Sequence, residues 1–251
     1  MIPPEDYPLY RSQTAVLAAA LRLVSRDGYT WHHVQTAPEG RILAALTKLH
    51  ERHRVLMDPP ARHLRREAGL PVAQVLLAPE PKGGVWPLLL LADRRLPGEA
   101  MHRVTDPSHP LTWPAWRGEA WRPTYQLHRD ERGRWTWRLT EDFYRELLEE
   151  ALYHAVRGDW PRLVAHLKPM GNLPMFRGVW LQLQEIRRRV MRAWGDRHLR
   201  NPEGQWRTPP WRTALEGWPK TPLTPIGMRL YLEPGEGRPR TLGEWLERRR
   251  G

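Results

Sequence analysis

Two stretches near the N-terminus are predicted to be packed helices: the first is almost continuously apolar and rich in strong helix formers, and in the second apolar residues repeat every three to four positions. The first runs from Ser12, a good capping residue, to Arg26, just before Gly28. The tetrapeptide from Thr36 to Glu39 has the form of a capping box, which predicts the start of the second helix. This second helix ends before the Pro59-Pro60 pair, and its apolar face consists of Ile42, Leu46, Leu49, His53 and Leu56.

Runs of β-prone or continuously apolar residues predict a small sheet. Residues 29–35 (YTWHHVQ) form one strand, while residues 72–78 and 85–93 form a hairpin closed by the connection PEPKGG. This order of strand, helix and two strands resembles the first part of a ferredoxin-like sandwich. Residues 94–123 are rich in proline, tryptophan and histidine and are predicted to be a long ordered loop. A second hairpin is predicted over residues 125–139.

The next part of the chain is predicted to be helical. Thr140 and Asp159 each begin a helix, and a third helix follows the break at residues 171–174. In this third helix, residues 178–200, arginines crowd the surface around one apolar stripe, which consists of Val179, Leu183, Ile186, Val190 and Trp194. Beyond residue 200 proline and glycine dominate, with a short strand expected at 228–232 and a last helix at 242–249.

Together these elements predict an α+β fold, with a small antiparallel or mixed sheet, flanking helices and an arginine-rich helical C-terminal half. We divide the chain into three regions. Residues 1–139 hold the sheets, residues 140–200 form the basic helical region, and residues 201–251 form a tail rich in proline, tryptophan and arginine.

The charge balance indicates the class of partner. The chain carries 40 lysines and arginines against 28 acidic residues, a formal net charge of +12. Nearly all the basic residues are arginines, whose planar guanidinium groups match phosphate and stack on bases. Nucleic acid is therefore the favoured partner, ahead of an anionic membrane surface. A GC-rich genome accounts for part of the arginine usage, but for less of the excess over acidic residues.

Several classes of protein are disfavoured. Cysteine is absent, which rules out disulfides and thiolate metal sites. The motifs GxxxxGK[ST], GxGxxG, GxSxG and HExxH are also absent, so we expect no cofactor and no NTPase, dinucleotide or zincin chemistry. No apolar run approaches the length of a membrane span, and the first residues do not resemble a secretion signal. We expect a cytoplasmic protein that does not bind membranes.

Arginine and tryptophan alternate in several segments, as in proteins that neutralise phosphates and stack unpaired bases. The predicted binding residues lie on the arginine-rich helix and in the tail: Arg187, Arg188, Arg189, Arg192, Arg197, Arg200, Trp206, Arg207, Trp211 and Arg212. Further pairs occur at residues 116–117, 121–122 and 134–138. The alternative is that the tryptophans pack in cores with arginines stacked on them, and that the helix face is merely solvated.

The histidines are the candidates for catalysis. His50 and His53 lie three residues apart on one helix face, after a strand that carries His32 and His33. Such a pair could share a metal or act as general base and acid. The segment TWHHVQ…GRILAAL…LH locally resembles the histidine motif of HNH-type ββα-metal nucleases over residues 29–50, which implies a strand at residues 40–46. The architecture also resembles Cas6-type RNA endonucleases, which implies metal-free chemistry. Ordinary packed or surface histidines are the alternative.

The sequence thus predicts a nucleic-acid-binding protein, with RNA or single-stranded DNA favoured over duplex. It would act as a binding subunit of a nucleoprotein complex, such as a replication, mobile-element or defence complex, with other protein subunits as further partners. A histidine-dependent endonuclease is the first alternative. A protein that docks an acidic partner through the same arginines is the second.

Overall fold

The first sheet is four-stranded and antiparallel, with the order β2-β3-β1-β4. Its strands are β1 (Trp31–Pro38), β2 (Ala73–Leu77), β3 (Val85–Ala92) and β4 (His102–Arg103). In β3 every residue from Trp86 to Ala92 is buried, as its continuously apolar sequence predicts for a strand covered on both faces. The computed structural model describes residues 2–198, 213–225, 227–233 and 235–250.

Three helices accompany this sheet. In α1 (Gln13–Ser25) the Ser12 side chain accepts a hydrogen bond from the Ala15 N–H, which confirms the predicted N-terminal cap. Between β1 and β2 lie α2 (Ile42–His53) and α3 (Pro59–Glu67). The five predicted apolar positions are all buried, but α2 ends at His53 rather than just before Pro59, so Leu56 lies beyond the helix. Helix α3 was not predicted, although its Asp58 cap and first-turn prolines are favourable helix-start signals.

The predicted capping box at residues 36–39 is wrong, whereas the helix predicted after it is confirmed. Thr36 does not cap a helix, because β1 continues to Pro38, which pairs with Val85 of β3. Strand pairing therefore overrides the local capping signal. Nor do residues 40–46 form the strand that the ββα-metal resemblance implies, since α2 begins at Ile42.

The region predicted as one long loop, residues 94–123, is also different in the structure. It contains β4, all of β5 (Thr112–Arg117) and the beginning of β6 (Ala120–Arg129). The second sheet has the order β5-β6-β7, with β7 at Trp135–Leu139. Pro114 lies where the β5–β6 register shifts, and at such an irregularity a strand tolerates the missing N–H.

Two compact units make up the chain, Met1–Trp135 with Pro225–Gly251, and Thr136–Thr224. In the first unit, the predicted C-terminal helix is present as α7 (Leu242–Arg250). The Trp245 ring meets Trp86 edge-on, and its Nε1 donates to the Glu39 carboxylate at 2.8 Å. The strand expected at 228–232 is reduced to a single bridge between Tyr231 and Tyr10.

The second unit contains α4 (Glu141–Arg157), α5 (Trp160–Met170) and α6 (Arg177–His198). All five residues of the apolar stripe predicted for α6 are buried, which confirms its packed face. The side chains of residues 196–198 lie outside the description of α6. Across the described parts of the chain, no helix combines the length and apolarity that crossing a membrane requires.

Candidate nucleic-acid interface

An open cleft of about 600 Å³ lies at one end of the first sheet. The beginning of β1, the residues after β3 and the end of β4 meet there, and residues 129 and 135 from the second hairpin complete the wall. Four arginines face a single acidic residue in its lining, which consists of Val24, Thr30, Trp31, Asp93, Arg94, Arg95, Arg103, Val104, Thr105, Arg129 and Trp135.

Two arginine–tryptophan stacks form part of the wall. The Arg103 guanidinium lies 5.3 Å from the centre of the Trp31 ring, and that of Arg129 lies 4.8 Å from the centre of the Trp135 ring. Trp31 and Arg103 are register partners on β1 and β4, which places both side chains on one face of the sheet. The cleft therefore presents guanidinium groups that already lie over aromatic rings.

The arginines of the cleft differ in whether another group of the protein already holds the side chain. Asp93 accepts a hydrogen bond from the Val72 N–H at 2.9 Å and lies 3.7 Å from Arg66, which is outside the cleft. Arg94 donates to the Gly69 carbonyl. Arg95, Arg103 and Arg129 form neither a hydrogen bond nor an ion pair through their side chains with any residue that the structure describes. Three positive charges thus converge without an acidic partner.

On α6 the predicted binding arginines have more partners. Glu185 binds Arg188, and it accepts from Arg189 Nε at 2.7 Å. Arg187 donates to the Trp218 carbonyl at 2.8 Å, while Arg192 is exposed and has no partner among the described residues. The side chains of the remaining predicted residues lie outside the described part of the chain: Arg197, Arg200, Trp206, Arg207, Trp211 and Arg212.

The other arginine–tryptophan segments have structural contacts. Trp121 Nε1 donates to the carbonyls of Lys82 and Val85, both at 3.2 Å, at the turn between β2 and β3. Trp116 packs so closely on this turn that a Cβ on Gly83 would lie 2.5 Å from its ring. Trp137 is fully buried. These three tryptophans therefore have packing contacts of the kind that the alternative expects, although Trp116 and Trp121 are only half-buried.

His50 and His53 are both buried at the end of α2. His50 Nδ1 accepts the Leu56 N–H at 3.1 Å, and His53 Nε2 lies 2.9 Å from the Glu99 carboxylate. Within the described residues, no hydrogen bond or ring contact joins this pair to His32 or to His33. The four histidines singled out by the sequence analysis are therefore not assembled into one site.

His32 belongs to a different cluster, which the sequence analysis missed. Its ring lies 6.2 Å from that of His102, which stacks on His109 at 3.9 Å. Asp106 Oδ2 lies 3.2 Å from His109 Nδ1, and Asp106 Oδ1 accepts the Ser108 N–H. The spacing His-x₃-Asp-x₂-His was a visible signal, but it fell in the segment taken for a loop.

Electrostatics distinguish the two ends of this cluster. The hydrogen bond from the Ser108 N–H lowers the pKa of the Asp106 carboxyl, and His109 adds to the effect. Burial lowers the pKa of His32 to about 4. His32 is therefore neutral at pH 7, and its Nε2 carries the proton because it must donate to the His109 carbonyl at 3.1 Å.

Comparison with known proteins gave no match to a family model, to a curated protein or to a solved structure.

Proposed function

We propose that this protein binds single-stranded nucleic acid, RNA or single-stranded DNA, in the cleft at the end of the first sheet. The observation that carries the proposal is that two arginine–tryptophan stacks and Arg95 line one cleft, and that these three arginines have neither a hydrogen-bonding nor an acidic partner among the described residues. Aromatic rings and guanidinium planes stack on unpaired bases, while the same guanidinium groups neutralise phosphates.

The shape of the cleft favours a single strand over a duplex. A volume of about 600 Å³ is that of a small-molecule pocket, which suits one or two splayed nucleotides. Reading a duplex instead requires an element that protrudes into a groove. The cleft is concave, and its aromatic rings are useful only to bases that are not already stacked in a helix.

The biological setting is a further part of the proposal. The net charge of +12 and the lack of cysteine support a cytoplasmic binding subunit of a nucleoprotein complex, in a replication, mobile-element or defence system. We propose a reduced ferredoxin-like sandwich for the first sheet. Its β-α-β-β order and antiparallel pairing support this, although residues 93–101 between β3 and β4 contain no helix.

The test is a salt titration of binding to fluorescently labelled 20-nucleotide RNA, single-stranded DNA and duplex. The triple variant R95A/R103A/R129A removes three phosphate contacts. On a single strand, each contact contributes about 0.7 to the salt slope, which is the decrease in log K per unit of log salt concentration. The slope should therefore fall by about 2. That predicts a roughly 100-fold loss of affinity at 0.1 M salt, which shrinks towards zero near 1 M.

A matched control removes the same formal charge from arginines that already face a carboxylate. These are Arg22, Arg145 and Arg162, each within 4.0 Å of an aspartate or glutamate. Their triple alanine variant should keep the wild-type slope. If the control loses as much affinity as the cleft variant, binding reflects overall charge and the cleft is not the site.

A further inference from the structure

The cluster formed by His102, Asp106 and His109 has the composition of a transition-metal site. One ligand atom from each residue lies within 4.8 Å of the other two, and no other group of three such side chains satisfies this criterion in the described ranges. Two imidazoles and one carboxylate are a donor set typical of zinc and related first-row ions. Calcium and magnesium prefer oxygen ligands only.

The cluster can close around an ion with small side-chain movements. In tetrahedral zinc sites the donor atoms lie about 2.0–2.1 Å from the metal, and therefore about 3.3 Å from one another. The donors here need to approach by at most about 1.5 Å from their present separations. The His109 side chain is 55% exposed, so rotation of its ring out of the stack meets little resistance.

The surroundings hold the donors in place. The Ser108 N–H occupies Asp106 Oδ1, which leaves Oδ2 on the side of the two imidazoles. His32, buried behind the cluster, donates to the backbone carbonyl of His109. A neutral buried histidine that fixes the backbone of a ligand acts as a positioning residue, since outer groups of this kind orient metal ligands.

We propose that His102, Asp106 and His109 bind one Zn²⁺ ion, with a fourth position left for water. Arg103, Val104 and Thr105 lie between the first two ligands, and all three line the cleft. The ion therefore clamps the segment that carries the Arg103–Trp31 stack. The zinc site itself is independent of the proposed function, and only its effect on the cleft depends on that function.

The experiment uses full-length protein without a polyhistidine tag, stripped with EDTA and dialysed. Zinc affinity is measured by competition with a chromogenic indicator, and Co²⁺ serves as a spectroscopic probe of coordination. We expect one ion per chain with a dissociation constant of about 1 μM or below, and visible Co²⁺ absorption bands. Zinc should also slow amide hydrogen exchange in residues 102–109. Magnesium and calcium should neither bind with this affinity nor slow the exchange.

Substitution separates this site from adventitious histidine binding. H109A alters an exposed side chain and should fold, yet it should weaken zinc binding at least about tenfold. D106N keeps the size of the side chain and should weaken it as well. The control is H63A. His63 is exposed and lies 3.3 Å from Glu67, with no third ligand nearby among the described residues. The H63A variant should bind zinc with the wild-type affinity. Sub-stoichiometric binding by the wild type, or equal affinity in H109A and H63A, overturns the proposal. Since no readout involves nucleic acid, failure of the site and failure of the proposed function remain distinct.

Discussion

His53 is the residue at which the endonuclease hypothesis and a structural role make the most different predictions. Its side chain is 5% exposed and lies 2.9 Å from a Glu99 carboxylate that is itself 12% exposed. Removing one partner from a buried pair costs about 3–5 kcal/mol. We expect H53A to lose about 3 kcal/mol, the lower part of that range, because Arg52 lies 3.8 Å from the same oxygen and still faces Glu99.

A double-mutant cycle with Glu99 isolates the interaction. H53A, E99A and the double variant should show a coupling energy of about 1.5–3 kcal/mol, as for a hydrogen bond to a charged group. H53Q should recover most of the loss, since its amide can still donate to Glu99. Because the chain has two units, unfolding is best followed in urea by hydrogen exchange of peptides from residues 42–57, which reports on α2 alone.

The same variants test catalysis. If His53 is a general base, H53Q will be stable and will cut no RNA or DNA that the wild type cuts, and H53A will lose activity even under conditions where it is fully folded. If the structural role is correct, activity follows the folded fraction in every variant. A coupling energy below about 0.5 kcal/mol, together with an inactive H53Q, would refute the structural reasoning.

Three further predictions follow from burial and from the tail. In EDTA, the free energy of unfolding of the first unit should fall by roughly 3 kcal/mol as the pH falls from 6.5 to 4, because His32 is protonated in the unfolded chain but stays neutral in the folded chain. Urea unfolding of H32Q should lack this contribution. Equal pH dependence in the wild type and in H32Q would contradict the prediction. I186A on the packed stripe of α6 should lower the free energy of unfolding by about 2–5 kcal/mol, whereas R188A should change it by less than about 1 kcal/mol. Similar losses in both variants would contradict the assignment of a packed face and a solvent face to α6. W211A, outside the described residues, should weaken single-strand binding about tenfold without lowering the melting temperature; the opposite pattern would make Trp211 a packing residue.

Periodicity predicted the packed elements well because the spacing of apolar residues along a helix or strand determines which of its faces is buried. The apolar faces of α2 and α6 and the continuous run in β3 need no knowledge of distant residues. The strands within residues 112–123 were missed because proline disfavours the interior of a strand, although the tryptophans there are typical of strands. Here Pro114 lies at a register shift, which no local pattern signals. The Thr36 capping signal failed for a similar reason, since the β1–β3 pairing that overrides it joins residues about 50 apart.

The site was harder to predict than the fold. The sequence analysis looked for arginine next to tryptophan along the chain, yet the stacks in the cleft join residues across strands. Trp31 and Arg103 are neighbours only because β1 pairs with β4, a strand of two residues. The histidines show the same effect. His50 and His53 share a helix face as predicted, but what they contact is set by Leu56 and Glu99.

Density of arginine in the sequence does not measure the charge that is available to a ligand. Arg188 and Arg189 share Glu185, so together with Arg192 this part of α6 carries a local charge of about +2 rather than +3. An arginine that already binds a carboxylate must exchange that partner before it binds phosphate, so its gain on binding is smaller. The three substitution sets should therefore reduce the salt slope in a fixed order. The cleft variant R95A/R103A/R129A should reduce it by about 2, R188A/R189A/R192A by at most about 1.4, and the paired-arginine control by about zero. Equal reductions in all three would mean that pairing is irrelevant and would remove the reason for preferring the cleft to α6, whereas a reduction confined to the α6 variant would move the binding surface to that helix.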